Sequence, residues 1–228
     1  MKKRVVYNRI STGIPKFDKI LEGGYLKGSA ILLVGAPRMG KSLFATHFVT
    51  ASNEDLGVYI TTSDLGVNVV KKITSFKKEF KSFKVIDAYS STFKKKERNI
   101  INVGKSNLSD ISVALSEIWK SYPKKTLRCV IDSVSNLLIH NSVDDVANFL
   151  EDVISKFRDK GGVLLLIVEE GMHDDKVYVM LEALTDSTIE LEKKSEGSFF
   201  MFRGFNVENE KVLEFVPYKI TCKGVELK

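Results

Sequence analysis

The sequence predicts an α/β fold in which a central, mostly parallel twisted sheet is flanked by helices on both faces. Three observations predict it. Apolar runs of strand length alternate with helix-like patterns, the runs are continuously apolar, and after about residue 185 short strands follow one another without a helix between them. Continuously apolar strands are typical of parallel sheets that are covered on both faces. The last short strands predict an antiparallel C-terminal hairpin that extends one edge of the sheet.

The candidate strands are apolar runs whose length suits a buried strand. They lie at residues 29–34, 57–62, 83–89, 127–132 and 163–168. Apolar residues at helical spacing predict helices at residues 42–53, 69–83, 108–122 and 143–160. The last of these helices precedes Gly161 and Gly162, and glycine is common where helices end.

The composition indicates one globular domain over residues 1–228. Of its 228 residues 43% are hydrophobic, which is enough to bury a core, and no linker or low-complexity stretch divides the chain. No apolar run approaches the length of a membrane span, and the first residues lack the apolar region of a signal peptide, so we expect a cytoplasmic protein. The two cysteines, Cys129 and Cys222, are too few for a metal cluster, and we expect both to be structural.

A phosphate-binding loop follows the first candidate strand. Gly35, Gly40, Lys41 and Ser42 have the spacing G-x-x-x-x-G-K-[ST], between an apolar strand and a helical pattern. Backbone N–H groups in such a loop converge on phosphate oxygens, and the N-terminus of the following helix adds partial positive charge. We expect Lys41 to contact the β- and γ-phosphates of a nucleotide and Ser42 to coordinate Mg²⁺. The alternative is a glycine-containing turn with an unrelated lysine. The residues predicted to bind the nucleotide are Gly35, Ala36, Pro37, Arg38, Met39, Gly40, Lys41 and Ser42.

A second candidate for the chemistry of the site is Asp132, which ends the apolar run LRCVID. In P-loop nucleotidases an aspartate at a strand end holds Mg²⁺, usually through water. Aspartate is also an ordinary residue of turns, so the position alone leaves both interpretations open. The phosphate-binding loop favours the metal-binding interpretation.

The positive charge of the chain is concentrated between Lys71 and Arg98. This segment contains ten basic and three acidic residues, whereas the formal net charge of the whole chain is only +6. Its first part has apolar residues at helical spacing, so Val69, Ile73 and Phe80 are expected in the core and the lysines in water. Two interpretations stay open: a solvated helix face, or a patch that binds nucleic acid or an acidic partner.

Together these features resemble a single KaiC-like domain of the RecA superfamily, of the archaeal KaiC and RadA-paralogue type. The resemblance is carried by residues 11–42, by LRCVIDSVSNLL, by SFFMFRGF and by KITCKGVEL, and it covers essentially the whole chain. It implies a RecA-like P-loop core that binds ATP and Mg²⁺. It also implies a homo-oligomer, possibly a hexameric ring, in which nucleotide lies between adjacent subunits, or a partner protein in its place.

Two departures from the family pattern concern hydrolysis. Relatives that hydrolyse ATP carry paired carboxylates after the second strand, where this chain has Ser63 and Asp64. A shorter, single carboxylate would position the attacking water poorly, so hydrolysis should be slow or absent, with Asp64 as a weakened base. A helix N-cap is the equally weighted alternative for Asp64. In the family's Lys-x-Arg-Gly motif, which reaches the ATP of a neighbouring subunit, Met201 replaces the lysine, while Arg203 remains a possible trans arginine or an ordinary hairpin residue.

Three functions follow from the resemblance and its departures. The first is an ATP-binding regulatory or accessory protein with weak or absent hydrolysis, acting through nucleotide-dependent assembly or partner binding. The second is an active KaiC-like ATPase. The third is a recombinase (RadA) paralogue that modulates DNA recombination or repair. The third is disfavoured because the connection after VLLLIV, EEGMHDD, is acidic and would repel DNA, and because the chain has no glutamine to end that strand.

Overall fold

The computed structural model describes residues 7–90, 97–204 and 214–227. Twelve strands are found in these ranges: β1 (Arg9–Ile10), β2 (Tyr25–Leu26), β3 (Ala30–Gly35), β4 (Leu56–Thr61), β5 (Phe83–Asp87), β6 (Ile100–Asn102), β7 (Leu127–Asp132), β8 (Val163–Glu169), β9 (Ser187–Lys194), β10 (Gly197–Gly204), β11 (Val216–Thr221) and β12 (Gly224–Leu227). The helices of the same ranges are α1 (Pro15–Ile20), α2 (Lys41–Val49), α3 (Gly66–Phe76), α4 (Leu108–Ser121), α5 (Val134–His140), α6 (Val143–Lys160) and α7 (Asp175–Leu184).

A ten-stranded sheet forms the centre of the fold, in the order β12-β11-β10-β9-β3-β8-β7-β4-β5-β6. The seven strands from β9 to β6 in this order are parallel, which confirms the mostly parallel sheet predicted from the apolar runs. Strand β3 lies between β8 and β9, with Gly35 opposite Glu169 and Leu191. The carboxyl ends of β3, β8, β7 and β4 therefore meet at one edge of the sheet, where ligands of open α/β sheets bind.

The C-terminal part is antiparallel, as predicted, and it is larger than one hairpin. Strand β9 pairs in parallel with β3 on one side and antiparallel with β10 on the other, so the sheet changes direction at β9. Strands β11 and β12 add a second hairpin next to β10. We call β9 to β12 the C-terminal meander.

Two hydrophobic clusters cover the two faces of the sheet. Side chains alternate along β3, with Ile31 and Leu33 in one cluster and Ala30 and Leu32 in the other. The first cluster holds aromatic side chains from α1, α2 and the meander, among them Phe17 and Phe200, whose ring centroids are 4.8 Å apart. The second cluster is formed with α4, α5 and α6. Both faces of the parallel strands are thus buried, which is why their sequences are continuously apolar.

Some predicted helix boundaries were wrong. Helix α2 ends at Val49, and α3 ends at Phe76 rather than continuing to residue 83. Lys77 has extended backbone angles, and Phe80 is buried from the following loop, where it stacks on Phe83 with centroids 5.9 Å apart. The helical spacing continued past Phe76 because a loop residue fills the next core position. Among the described residues no helix has both the length and the apolar character needed to cross a membrane.

Candidate nucleotide-binding site

The phosphate-binding loop lies between β3 and α2, as predicted, at the edge where the parallel strands end. Gly40 is the residue before α2 and has a φ of +87°, a conformation that favours glycine. A Cβ atom at this position would also come within 2.8 Å of Cδ1 of Ile220. Arg38, inside the loop, is exposed with a φ of +68°. The tight turn and its close approach to β11 thus explain the glycine at position 40.

A cavity of about 510 Å³ opens next to this loop. It brings together residues that the sequence analysis singled out in four separate segments of the chain: Arg38, Gly40, Lys41, Ser42, Ser63, Asp64 and Asp132. It is also lined by residues that the sequence analysis did not assign to the site, among them Tyr59, Lys72, Glu169 and Ile220. One concave surface therefore holds the phosphate loop, both metal-ligand candidates and the candidate base.

The Lys41 side chain is buried, with 5% of its surface exposed, and its ammonium group is fully engaged. Nζ donates hydrogen bonds to the carbonyl oxygens of Gly35, at 2.6 Å, and Ala36, at 2.8 Å. It also forms an ion pair with Oε2 of Glu169 at 2.9 Å. Glu169 is the last residue of β8 and stands opposite Gly35 in the sheet. Glu169 thus holds the lysine that was predicted to contact phosphate.

Asp132 ends β7 beside the cavity, and its carboxylate accepts a hydrogen bond from the hydroxyl of Tyr59. Burial raises the pKa of Asp132, while the Tyr59 hydrogen bond and the charges of Lys72 and Lys41 act in the opposite direction. Burial also raises the pKa of Tyr59 well above 10, with a further contribution from Asp132, so the phenol remains a hydrogen-bond donor. Tyr59 therefore orients the carboxylate from below.

Asp64 lies at the cavity, but its carboxylate already has partners. Oδ1 accepts hydrogen bonds from the backbone N–H of Leu65, at 2.8 Å, and from the Asn68 side-chain amide, at 2.7 Å. The N-cap interpretation of Asp64 was wrong, since Leu65 is the N-cap residue of α3. The N–H of Gly66 instead donates to Oδ2 of Asp87 at 2.8 Å, so a carboxylate from the end of β5 satisfies the start of this helix.

The C-terminal meander contacts the loop and the helix that follows it. The buried Tyr218 hydroxyl donates to the carbonyl oxygen of Met39 at 2.7 Å, and burial raises its pKa to about 12. On α2, Nε2 of His47 accepts the backbone N–H of Val225 at 2.9 Å, and Nδ1 lies 3.1 Å from the carbonyl oxygen of Gly13. The pKa of His47 is lowered by burial. These bonds define a neutral imidazole with its proton on Nδ1.

Arg203 does not line this cavity. It lies on β10, where its guanidinium forms ion pairs with Glu190 at 2.8 Å and Glu182 at 3.6 Å, and 51% of its side chain is exposed. Met201 and Phe202 precede it in the same strand. A contact between Arg203 and nucleotide would have to involve a neighbouring subunit, which is the arrangement that the sequence resemblance implies.

The basic segment does not form one solvent-facing surface. Lys72 lines the cavity, Nζ of Lys77 donates to the carbonyl oxygen of Thr50 at 2.9 Å, and Lys84 donates to that of Arg98 at 2.8 Å. The expectation that all its lysines face water was therefore wrong for these three. The three lysines at positions 94–96 lie outside the described residues.

The donor set at the cavity suits a magnesium nucleotide. Ser42 is half-buried and Asp132 supplies a carboxylate, and oxygen donors of this kind are those that Mg²⁺ prefers. Among the described residues no group of three or more His, Cys, Asp or Glu side chains is arranged to hold a metal ion. A magnesium ion here would therefore depend on phosphate oxygens for part of its coordination.

The sequence gave uneven notice of these residues. Glu169 ends an apolar run as Asp132 does, and the parallel strand order brings both to the same edge, so the same argument could have found it. Tyr59 lies inside an apolar strand, and Tyr218 lies in a hairpin far along the chain. Nothing in their local pattern distinguishes them from core aromatics.

The fold and the loop are those of the P-loop class of nucleotide-binding proteins, with a RecA-like core. Within that class the chain belongs to the KaiC ATPase family, because the family model described as "ATPase: KaiC" matches residues 10–228. The resemblance inferred from the sequence motifs is thereby confirmed.

Similar proteins agree with this assignment. The chain is 30% identical to a UPF0273 protein from Thermotoga maritima over 145 residues, which cover 58% of this chain and 57% of that protein. It is 25% identical to the circadian clock oscillator protein KaiC of Prochlorococcus marinus over 238 residues, covering 96% of this chain and 44% of that protein. The chain spans between 36% and 57% of the length of the UPF0273 relatives it matches.

A crystal structure of a KaiC-like protein from Pyrococcus horikoshii OT3 has the same fold. The TM-score is 0.72 at 19% sequence identity, with 98% of this chain and 100% of that chain covered. At this identity the likeness concerns the fold alone.

Proposed function

We propose that this protein binds ATP with Mg²⁺ in the cavity beside the phosphate loop, hydrolyses it slowly or not at all, and acts as a regulatory or accessory protein through nucleotide-dependent assembly or partner binding. The observation that carries the proposal is the single cavity that combines Lys41, Ser42 and Asp132 with the hydrogen-bonded carboxylate of Asp64. The first three residues are a binding apparatus. The fourth is a poor base.

Binding would use groups that are already positioned. The N-terminus of α2 and the loop N–H groups suit the phosphates, and Lys41 lies in the loop with its ammonium next to the carbonyl oxygens of Gly35 and Ala36. Ser42 and Asp132 would hold Mg²⁺, Asp132 through water. A bound Mg²⁺ would bridge phosphate oxygens and neutralise their charge.

Slow hydrolysis is supported by the surroundings of Asp64. A general base must lie about 3 Å from the attacking water, directly or through one further water. Oδ1 of Asp64 is used by Leu65 and Asn68, and its neighbour Ser63, whose hydroxyl donates to the carbonyl oxygen of Asp132 at 3.3 Å, cannot replace a second carboxylate.

An active ATPase is the second candidate, and Glu169 is the observation that favours it. Its carboxylate lines the cavity with 29% of the side chain exposed, and it would be freed if phosphate took its place on Lys41. Phosphate release measured for the wild type and for Glu169→Gln separates the two candidates. Turnover near one per second or faster, lost in the variant, would favour the ATPase.

Assembly is proposed from the family and from the exposure of Arg203. A homo-oligomer, possibly a hexameric ring, would bring Arg203 of one subunit towards the cavity of the next. Mass measurement in solution with ATP, with ADP and without nucleotide tests this directly. A mass that does not change with nucleotide would contradict nucleotide-dependent assembly.

Thermal unfolding tests nucleotide binding itself. ATP at about 100 times its dissociation constant should stabilise the fold by roughly 2.7 kcal/mol, because the ligand binds only the folded state. Lys41→Ala should abolish this shift. A folded wild-type sample whose melting temperature does not respond to ATP and Mg²⁺ would refute the proposed function.

A further inference from the structure

Lys72 is a second lysine in the cavity. It lies on α3, is half-buried, and lines the same concave surface as Lys41 and Ser42. The preceding residue, Lys71, is exposed and does not line the cavity. One lysine of the pair on this helix therefore points into the site, and the other points into water.

The two cavity lysines differ in what compensates their charge. Lys41 has two carbonyl oxygens and a carboxylate within 2.9 Å. Within the described part of the chain, by contrast, no carboxylate comes within 4.0 Å of the ammonium of Lys72. A half-buried cation without an ion-pair partner is costly, so the site around Lys72 is suited to an anion.

The position of Lys72 indicates which part of a nucleotide it faces. Its charge is felt by the carboxyl of Asp132, the predicted magnesium ligand, and it shares the cavity wall with Asp64 and Ser63. In P-loop proteins the metal and the candidate base lie around the terminal phosphate. Lys72 is therefore placed at the terminal-phosphate end of the cavity.

We propose that Lys72 contacts the terminal phosphate of the bound nucleoside triphosphate and makes the site prefer a triphosphate to a diphosphate. This inference rests on the proposed function. Lysine suits this role as a compact charge on a flexible stem, which can follow a phosphate without the fixed geometry of arginine. It supplies, from within the same chain, a second positive charge for the phosphates in addition to Lys41.

The test is a comparison of dissociation constants for Mg²⁺ complexes of ADP and of an ATP analogue with a non-hydrolysable β–γ bridge. The variant is Lys72→Met, which keeps most of the aliphatic stem and removes the charge. We expect it to weaken binding of the triphosphate by about tenfold and of ADP by less than about threefold, as lost charge contacts of this kind do. Lys71→Met is the matched control and should change neither constant.

Equal losses for both nucleotides, or no loss for either, would overturn the inference while leaving the proposed function intact. A wild-type protein that binds neither nucleotide would overturn both. Because Lys72→Met could also affect folding, the melting temperature of each variant without nucleotide is measured first. If Lys72→Met unfolds, Lys72→Arg, which keeps the charge, should bind the triphosphate within about threefold of the wild type, and a selective loss of the diphosphate instead would overturn the inference.

Discussion

The hydroxyl of Tyr218 donates a hydrogen bond to the backbone carbonyl oxygen of Met39, with 2.7 Å between the two oxygens. Met39 is in the phosphate loop and Tyr218 is in β11, so the C-terminal meander fixes the loop that is proposed to hold the nucleotide. The side chain of Ile220, two residues further along the same strand, packs against Gly40.

Tyr218→Phe should lower the free energy of unfolding by about 1–2 kcal/mol, because the variant leaves a buried carbonyl oxygen without its donor. Denaturant unfolding of the nucleotide-free protein measures this. Tyr89→Phe, at an exposed tyrosine, is the control and should change stability by less than about 0.5 kcal/mol. Equal stability of Tyr218→Phe and the wild type would contradict the role assigned to this hydrogen bond.

Glu169→Gln should have opposite effects on the free and the nucleotide-bound protein. Without nucleotide, Lys41 loses its ion-pair partner, and we expect a loss of about 1–2 kcal/mol because the pair is only partly buried. With ATP, the phosphates no longer compete with a carboxylate for Lys41, so the ATP-induced stabilisation should increase. Melting temperatures with and without ATP measure both effects.

The control for this experiment is Glu170→Gln, the exposed neighbouring acid. It should change neither melting temperature. If Glu169→Gln instead lowered the ATP-induced shift, Glu169 would contribute to nucleotide binding rather than compete with it.

Tyr59→Phe should weaken the dependence of ATP binding on Mg²⁺. The hydroxyl of Tyr59 donates to the Asp132 carboxylate and favours its ionised form, so its loss raises the pKa of Asp132 further. ATP affinity measured at several Mg²⁺ concentrations should show a higher Mg²⁺ requirement in the variant. The same affinities measured with EDTA serve as the control, and a requirement identical to that of the wild type would argue against Asp132 as the metal site.

The stability of the protein should fall below about pH 6.5 partly because of His47. Burial lowers its pKa in the folded state, so the unfolded state binds the proton more readily. The contribution of His47 is therefore fully present above the unfolded pKa of about 6.5 and is lost as the pH falls through the lower folded pKa. A proton on Nε2 would face the N–H of Val225, which is itself a donor.

The measurement is the free energy of unfolding between pH 8 and pH 5. One proton contributes a slope of at most about 1.4 kcal/mol per pH unit. His47→Asn should make the dependence shallower, and His140→Asn, at an exposed histidine, should not. Parallel curves for His47→Asn and the wild type would contradict the prediction.

A titration with single-stranded and duplex DNA at two salt concentrations tests the remaining interpretation of the Lys71–Arg98 segment. Phosphate contacts make binding weaken steeply with salt. Undetectable or salt-independent binding would identify this segment as a solvated surface. Since Lys72, Lys77 and Lys84 have contacts within the protein, any binding should depend mainly on the other basic residues.

Periodicity and spacing predicted the parallel sheet, the phosphate loop and the position of Asp132, because each depends on neighbours in sequence. They did not predict the Lys41–Glu169 ion pair, which depends on β8 lying beside β3. They placed Phe80 correctly in the core but on the wrong element, since apolar spacing records burial rather than backbone conformation.

The cavity-facing direction of Lys72 was hidden for a similar reason. On a helix, a residue next to the apolar stripe can face either water or a pocket above the sheet, and only the packing of α3 against the strand ends decides between them. The local sequence of Lys71 and Lys72 is the same in both cases.

The link between the meander and the loop also has a consequence for biosynthesis. The hydrogen bonds from Tyr218 to Met39 and from Val225 to His47 join residues 179 and 178 positions apart. A chain emerging from the ribosome exposes the loop long before it exposes the strands that fix it, and such distant contacts form late and slowly. The growing polypeptide therefore passes through a long period in which the loop sequence has been translated but its supporting strands have not.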